Sequence, residues 1–142
     1  MIEMSLSAVV YKAMLALEQE FPGYRFEREP ISGECEVVYP DSARVSWDAA
    51  KACERLLGNI SHIGVLRGRI ARHLGKASAL ERLVLYSGSH AGDVIEETGF
   101  GEIEEELDLL EISPDEHLRG FVGALRALIG AARQERNPIV FV

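Results

Sequence analysis

The sequence predicts an α+β fold: an N-terminal helix, a three-stranded antiparallel meander covered by helices, and a helical C-terminal half ending in a short terminal strand. Three observations predict it. Apolar residues recur at steps of three and four near the start and again in the last third. Residues 24–47 between them alternate apolar and polar with a period of two. Pro, Gly, Asp and Ser punctuate the joins.

Ser5 to Phe21 reads as the first helix, with Leu6, Val10, Ala13, Leu17 and Phe21 on one face and Pro22-Gly23 as the stop. Three strands follow. Tyr24 and Phe26 share a face in the first, Cys35, Val37 and Tyr39 in the second, and Ala43, Val45 and Trp47 in the third. Their apolar face needs a cover, which the helices are expected to supply. Arg25 and Arg44 sit among the acids of the opposite face, placed for cross-strand pairing.

Ser46 or Asp48 is placed to cap a helix running to about Leu57, ended by Gly58-Asn59. A further helix is expected over Ile63–Leu74, ending at Gly75. Leu83 to Tyr86 fits strand or helix equally well. Gly92 to Leu110 reads as two helical pieces broken at Thr98-Gly99-Phe100-Gly101. Ser113-Pro114-Asp115-Glu116 is the strongest local signal, combining a capping Ser, a first-turn Pro and a Glu three residues after the Ser. The helix it opens runs to about Arg136. Leu118, Phe121, Val122, Leu125, Leu128, Ile129 and Ala132 form its large apolar stripe. Gly120, Ala124, Ala127 and Ala131 form a stripe of small residues, and Arg119, Arg126 and Arg133 a charged line between the two. The small residues let a second neighbour approach, either internal or in a symmetry mate. Asn137-Pro138 releases the chain into Ile139–Val142, expected as a last strand of the sheet rather than a tail for a partner.

At 142 residues the chain fits a single domain, 1–142, able to bury roughly 70% of its unfolded surface without a staple. No apolar run approaches a bilayer span, and Lys12 interrupts the N-terminal apolar stretch, which argues against a signal peptide and for a cytoplasmic protein with no membrane partner. Cys35 and Cys53 lack zinc spacing and read as reduced thiols. The net charge of −8 repels phosphate backbones, so no nucleic-acid partner is expected. Ala91 to Glu116 holds eleven acids and no Lys or Arg, whereas Ile60 to Arg82 holds five bases against Glu81. Such blocks serve as solvated or mutually compensating surface. The sharper use is a pair of opposite patches that meet between copies or on a charged partner. An antiparallel helical hairpin, with the acids of residues 102–111 against the arginine line, is the expected structural use.

The loop Ser87-Gly88-Ser89-His90-Ala91-Gly92 is the best place for chemistry. Ser87, Ser89 and His90 are the candidate catalytic residues, in a serine–histidine arrangement. Ser89 and His90 are adjacent, so on an extended chain they point apart, and no G-x-S-x-G elbow is present. The loop is therefore read first as a helix entry. His62 and His90, both in Ser-His-x-Gly, are the candidate metal ligands, but no metal and no cofactor is expected. His62 and His73 lie about 16 Å apart along a helix, too far to share an ion. The segment 92–107 has helix-turn-helix spacing, but its second helix carries five acids from Glu102 to Asp108 and would be repelled from DNA.

These residues point to a non-enzymatic cytoplasmic module for protein–protein contact, with a homodimer or another protein as partner. The alternative is a small-molecule binder or small enzyme with a pocket near Ser87–His90.

Overall fold

The computed structural model describes residues 5–22, 24–28, 35–38, 44–46, 50–87, 93–112 and 115–142. Ser5–Tyr11, expected to be helical, is a strand (β1), and the helix (α1) is confined to Met14–Glu20. The reason lies in burial. Leu6, Ala8 and Val10 enter one apolar cluster while Val9 and Tyr11 enter another, so β1 is covered on both faces. A strand buried on both sides is a near-continuous apolar run, and its residues also satisfied a helical spacing by coincidence.

The meander is present as a sheet of its own. Arg25–Arg28 (β2), Cys35–Val38 (β3) and Arg44–Ser46 (β4) pair antiparallel in sequence order, with Phe26 opposite Val37 and Val37 opposite Val45. Phe26, Cys35 and Val37 are buried as expected. Tyr24 lies ahead of β2 and is exposed, while Tyr39, Ala43 and Trp47 fall outside the described residues. Arg25 pairs along its own strand with Glu27, at 3.1 Å.

A second, four-stranded antiparallel sheet, which the sequence reading lacked, organises the rest. Lys51–Asn59 (β5), Val94–Ile95 (β6) and Ile139–Phe141 (β7) join β1 in the order β5-β1-β7-β6. The expected helix ending at Leu57 is thus a strand. Seven residues of β5 pair with β1, from Ser5 opposite Asn59 to Tyr11 opposite Lys51. That ladder outweighs the helix propensity of Ala, Lys, Glu, Arg and Leu. The register shifts at Leu6/Ser7 and at Val10/Tyr11, leaving Leu57 and Ala52 as extra residues in two bulges. Gly58 follows the first bulge with φ +155°, and a Cβ there would sit 2.8 Å from the His62 ring.

Asn59 does not end a helix. It begins one: its side chain accepts a hydrogen bond from the His62 N–H at 2.9 Å and caps α2, Ile60–Leu74, which stops at Gly75 with φ +80°. Leu83 to Tyr86 resolves as the end of a short helix (α3, Ala79–Leu83) and a turn, with Val84 and Leu85 buried. The first half of the expected Gly92–Leu110 helical pair is instead the short strand β6, and a single turn over Glu97–Gly99 leads into α4, Phe100–Glu111. The longest helix, α5, spans Glu116–Glu135. Ser113 and Pro114 of its capping signal lie outside the described residues. Arg136, at φ +55°, turns the chain, and the Asn137 N–H donates to the Ala132 carbonyl at 3.1 Å.

The layers follow from strand alternation. Ile139 and Phe141 of β7 join Leu6, Ala8 and Val10 of β1 beneath α2, α4 and α5. Val140, Val9 and Tyr11 point the other way, onto Phe26, Cys35 and Val37 of the meander and Leu17 of α1. The expected cover of the meander by helices is therefore corrected: α1 and the second face of the larger sheet cover it. Residues 139–141 dock internally, between β1 and β6, as expected.

Candidate functional site

The loop that drew attention in the sequence is only partly on view. Ser87 is half-buried beyond the α3 turn. Ser89 and His90 lie outside the described residues, and so does any meeting of His90 with His62. Of the two readings left open for Leu83–Tyr86, the helix is the one found, since Leu83 closes α3. The Tyr86 hydroxyl donates to the Asp93 carboxylate, and the Asp93 carbonyl accepts from the Phe141 N–H, so both flanks of 88–92 are tied to the sheet. His62 sits in the first turn of α2 and lines a surface cleft of about 410 Å³ with Leu56, Gly58, Glu116 and Phe121. Among the described residues no three His, Cys, Asp or Glu side chains stand close enough to hold a metal. Cys35 and Cys53 are both free thiols.

The acidic segment takes a definite geometry. Phe100, Ile103, Leu107 and Leu110 form the buried stripe of α4. The arginine line of α5 faces its acids, as the expected hairpin requires. Arg126 reaches Asp108 at 2.6 Å and Glu111 at 2.7 Å, and Arg133 reaches Glu104 at 2.5 Å. Hydrogen bonds to Asp108 and then Glu111 raise the Arg126 pKa above its ordinary value. Arg133 also lies over the Phe100 ring, 6.0 Å from its centroid.

The basic segment reaches other acids of the same block. Arg82 pairs with Glu102 at 2.7 Å and Arg69 with Asp115 at 2.5 Å. Arg67 holds Glu81 through two nitrogens, and that hydrogen bonding, ahead of plain charge attraction, raises its pKa. Glu106 was expected to face water. Its two oxygens instead accept the Ala79 and Leu80 N–H groups, at 2.7 and 2.9 Å, and cap α3 from another helix. Two ion pairs thus join the charge blocks among the described residues, and the arginines of α5 hold further acids. Exposed pairs of this kind contribute about 0–1 kcal/mol each, so their main effect is to set how the helices sit.

Opposite the buried stripe of α4, Glu105, Leu109 and Ile112 follow the i, i+4, i+7 spacing of one helical face. Leu109 is 58% exposed and Ile112 83%. On the other side of α4, Leu110, Glu111, Arg119, Val122 and Gly123 line a groove of about 340 Å³ between its end and the start of α5. A side chain at Gly123 would project into open space, which keeps the groove unfilled. Among the described residues neither Arg119 nor Glu105 has an ion-pair partner. The sequence signal for this face was the apolar Leu109 and Ile112 off the inward stripe. The second neighbour of the small-residue stripe on α5 is internal, since Ala124 and Ala131 pack against the core and Gly120 lies beside Leu56–Gly58 of β5.

No family model, curated protein or solved structure matches the chain. Its described residues form a mixed α and β structure in which no helix is long and apolar enough to cross a membrane.

Proposed function

We propose that the chain acts as a single-domain, non-enzymatic protein-interaction module of the cytoplasm, and that it binds through the outer face of the α4–α5 hairpin. One observation carries this reading: two large apolar side chains, Leu109 and Ile112, stand in water on the outer face of α4. Single exposed apolar residues are ordinary, but two of them on one turn of a helix make a patch suited to a partner. The net charge of −8 supports a protein partner over a nucleic acid. Two free thiols, one in each apolar cluster or against it, support a reducing compartment.

The test is photocrosslinking from position 112 in cells that produce the chain, with exposed Thr98 as the control position. The expected result is a discrete protein adduct at 112 that Leu109→Asp abolishes and that Thr98 does not form. Absence of an adduct at 112, or equal adducts at both positions, overturns the reading.

A further inference from the structure

Independently of that reading, we infer that a cavity where the turn before α4 meets the turn after α5 binds a small zwitterion, of the class of a free α-amino acid. The cavity measures about 100 Å³, and Glu105, Leu109 and Ile112 take no part in it. Buried Phe100 and Pro138 form the apolar part of its wall. Glu96 and Glu97 line it from the segment ahead of α4, and Arg133 and Arg136 from the end of α5.

Two observations mark this hollow out. The first is charge left open. Elsewhere on α4 and α5, arginines and acids that come near one another close into pairs, as Arg126 does with Asp108 and Arg133 with Glu104. Here they do not. The exposed side chains of Glu96, Glu97 and Arg136 line one cavity without reaching each other, and none has an ion-pair or hydrogen-bond partner among the described residues. An unpaired charge on open surface is ordinary. Unpaired charges of both signs around one hollow are what a ligand carrying both would complete. The second observation is backbone strain. Arg136 stands at φ +55°, a conformation that glycine or asparagine takes easily and other residues rarely adopt. Strain of this kind gathers at ligand clamps, where the side chain is kept for what it holds.

The class of ligand follows from the groups. An ammonium donates through several N–H bonds at once and can serve both carboxylates, Glu96 and Glu97. A guanidinium presents a planar fork that takes a carboxylate through two parallel bonds, and the fork of Arg136 is open. Arg133 does not compete, being held by Glu104 and lying over the Phe100 ring. An α-amino acid carries its ammonium and its carboxylate on one carbon. A water takes up about 10–15 Å³ of such space, so the cavity has room for roughly seven to ten non-hydrogen atoms, an amino acid with a short side chain.

The experiment is an NMR titration of the isotope-labelled full chain at low salt with glycine, L-alanine and L-serine, each to about 20 mM, and with acetate and methylamine as half-ligands. At least one amino acid is expected to shift the backbone amides of Gly99, Arg136 and Asn137 saturably, and each half-ligand to bind about tenfold more weakly or worse. Arg136→Gln keeps the backbone conformation costly and removes the charge, and is expected to weaken binding about tenfold or more, Arg136→Lys less so. Arg136→Gly is expected to bind as poorly as Arg136→Gln while melting higher than the wild type, so that stability and binding part. Absence of a saturable shift with all three amino acids overturns the inference. So does a half-ligand that binds as tightly as the amino acids, or binding that survives Arg136→Gln. The adduct test at position 112 is untouched by any of these outcomes, so the protein-binding reading stands or falls separately.

Discussion

The Glu135 carboxylate accepts a hydrogen bond from the Ala13 backbone N–H at 3.0 Å, across 122 residues of sequence. The last turn of α5 thereby satisfies the N-terminal end of α1, whose own capping residue offers no side-chain acceptor. Asn137 adds a second tie, donating to the Tyr11 carbonyl at 2.8 Å and to that of Lys12 at 3.2 Å. Glu135→Ala should lower stability by about 1–2 kcal/mol, as a charge-assisted bond to a half-buried N–H is lost. Glu135→Gln should recover part of that. Urea titrations of the three proteins measure it, and equal midpoints would refute the tie.

Glu106 makes a sharper case, because its neighbour is an internal control. Glu106→Ala strips acceptors from two backbone N–H groups at the start of α3 and should cost about 1–3 kcal/mol. Glu105→Ala, on the exposed face, should shift stability by no more than about 0.5 kcal/mol. Similar losses for the two would show that the cap across helices contributes nothing.

Arg136 is the only non-glycine among the described residues with positive φ, at +55°. The left-handed conformation costs an L-residue about 1–2 kcal/mol, and glycine loses about half of that gain through its freer unfolded chain. Arg136→Gly should therefore raise stability by about 0.5–1 kcal/mol, read as a higher melting temperature by calorimetry. A lower melting temperature would mean that the arginine side chain contributes more than its backbone costs.

Truncation after Pro138 removes Ile139, Val140 and Phe141, all at 1% exposure or less, from between β1 and β6. Each buried side chain of this size is worth about 1.5–3 kcal/mol, and the sum rivals the whole stability of an ordinary domain. The shortened chain should lose its cooperative thermal transition. A retained transition would place the terminal strand outside the core.

The parts of the fold that could be read from residues alone are those where one local signal had no rival. Ile63, Leu66 and Ile70 bury at helical spacing, Leu74 packs half-buried after them, and Gly75 stops the helix. The stripe from Leu118 to Ala132 did the same for α5, and two of its three spaced arginines, Arg126 and Arg133, meet acids of residues 102–111 as expected. The parts that could not be read are strands whose identity is decided by partners far along the chain. Leu6, Val10 and Leu17 fit a helical step, but Ala8 and Val9 between them are buried too, which only a strand covered on both sides explains. In β5 two bulges erase the alternation that would have marked it, and its composition favours helix. The outer face of α4 was half visible: Leu109 and Ile112 could be seen to fall off the inward stripe. Which acids the basic segment would reach depends on the fold that brings Arg69 to Asp115 and Arg82 to Glu102.

The placement of β7 between β1 and β6 bears on how the protein is made. During synthesis the first strand leaves the ribosome early, and its inner neighbour arrives some 130 residues later. Until then Val9 and Tyr11 on one side and Ala8 and Val10 on the other have half a sheet to lie against. The nascent chain must wait with its central seam open, so the larger sheet closes only after translation has passed Phe141.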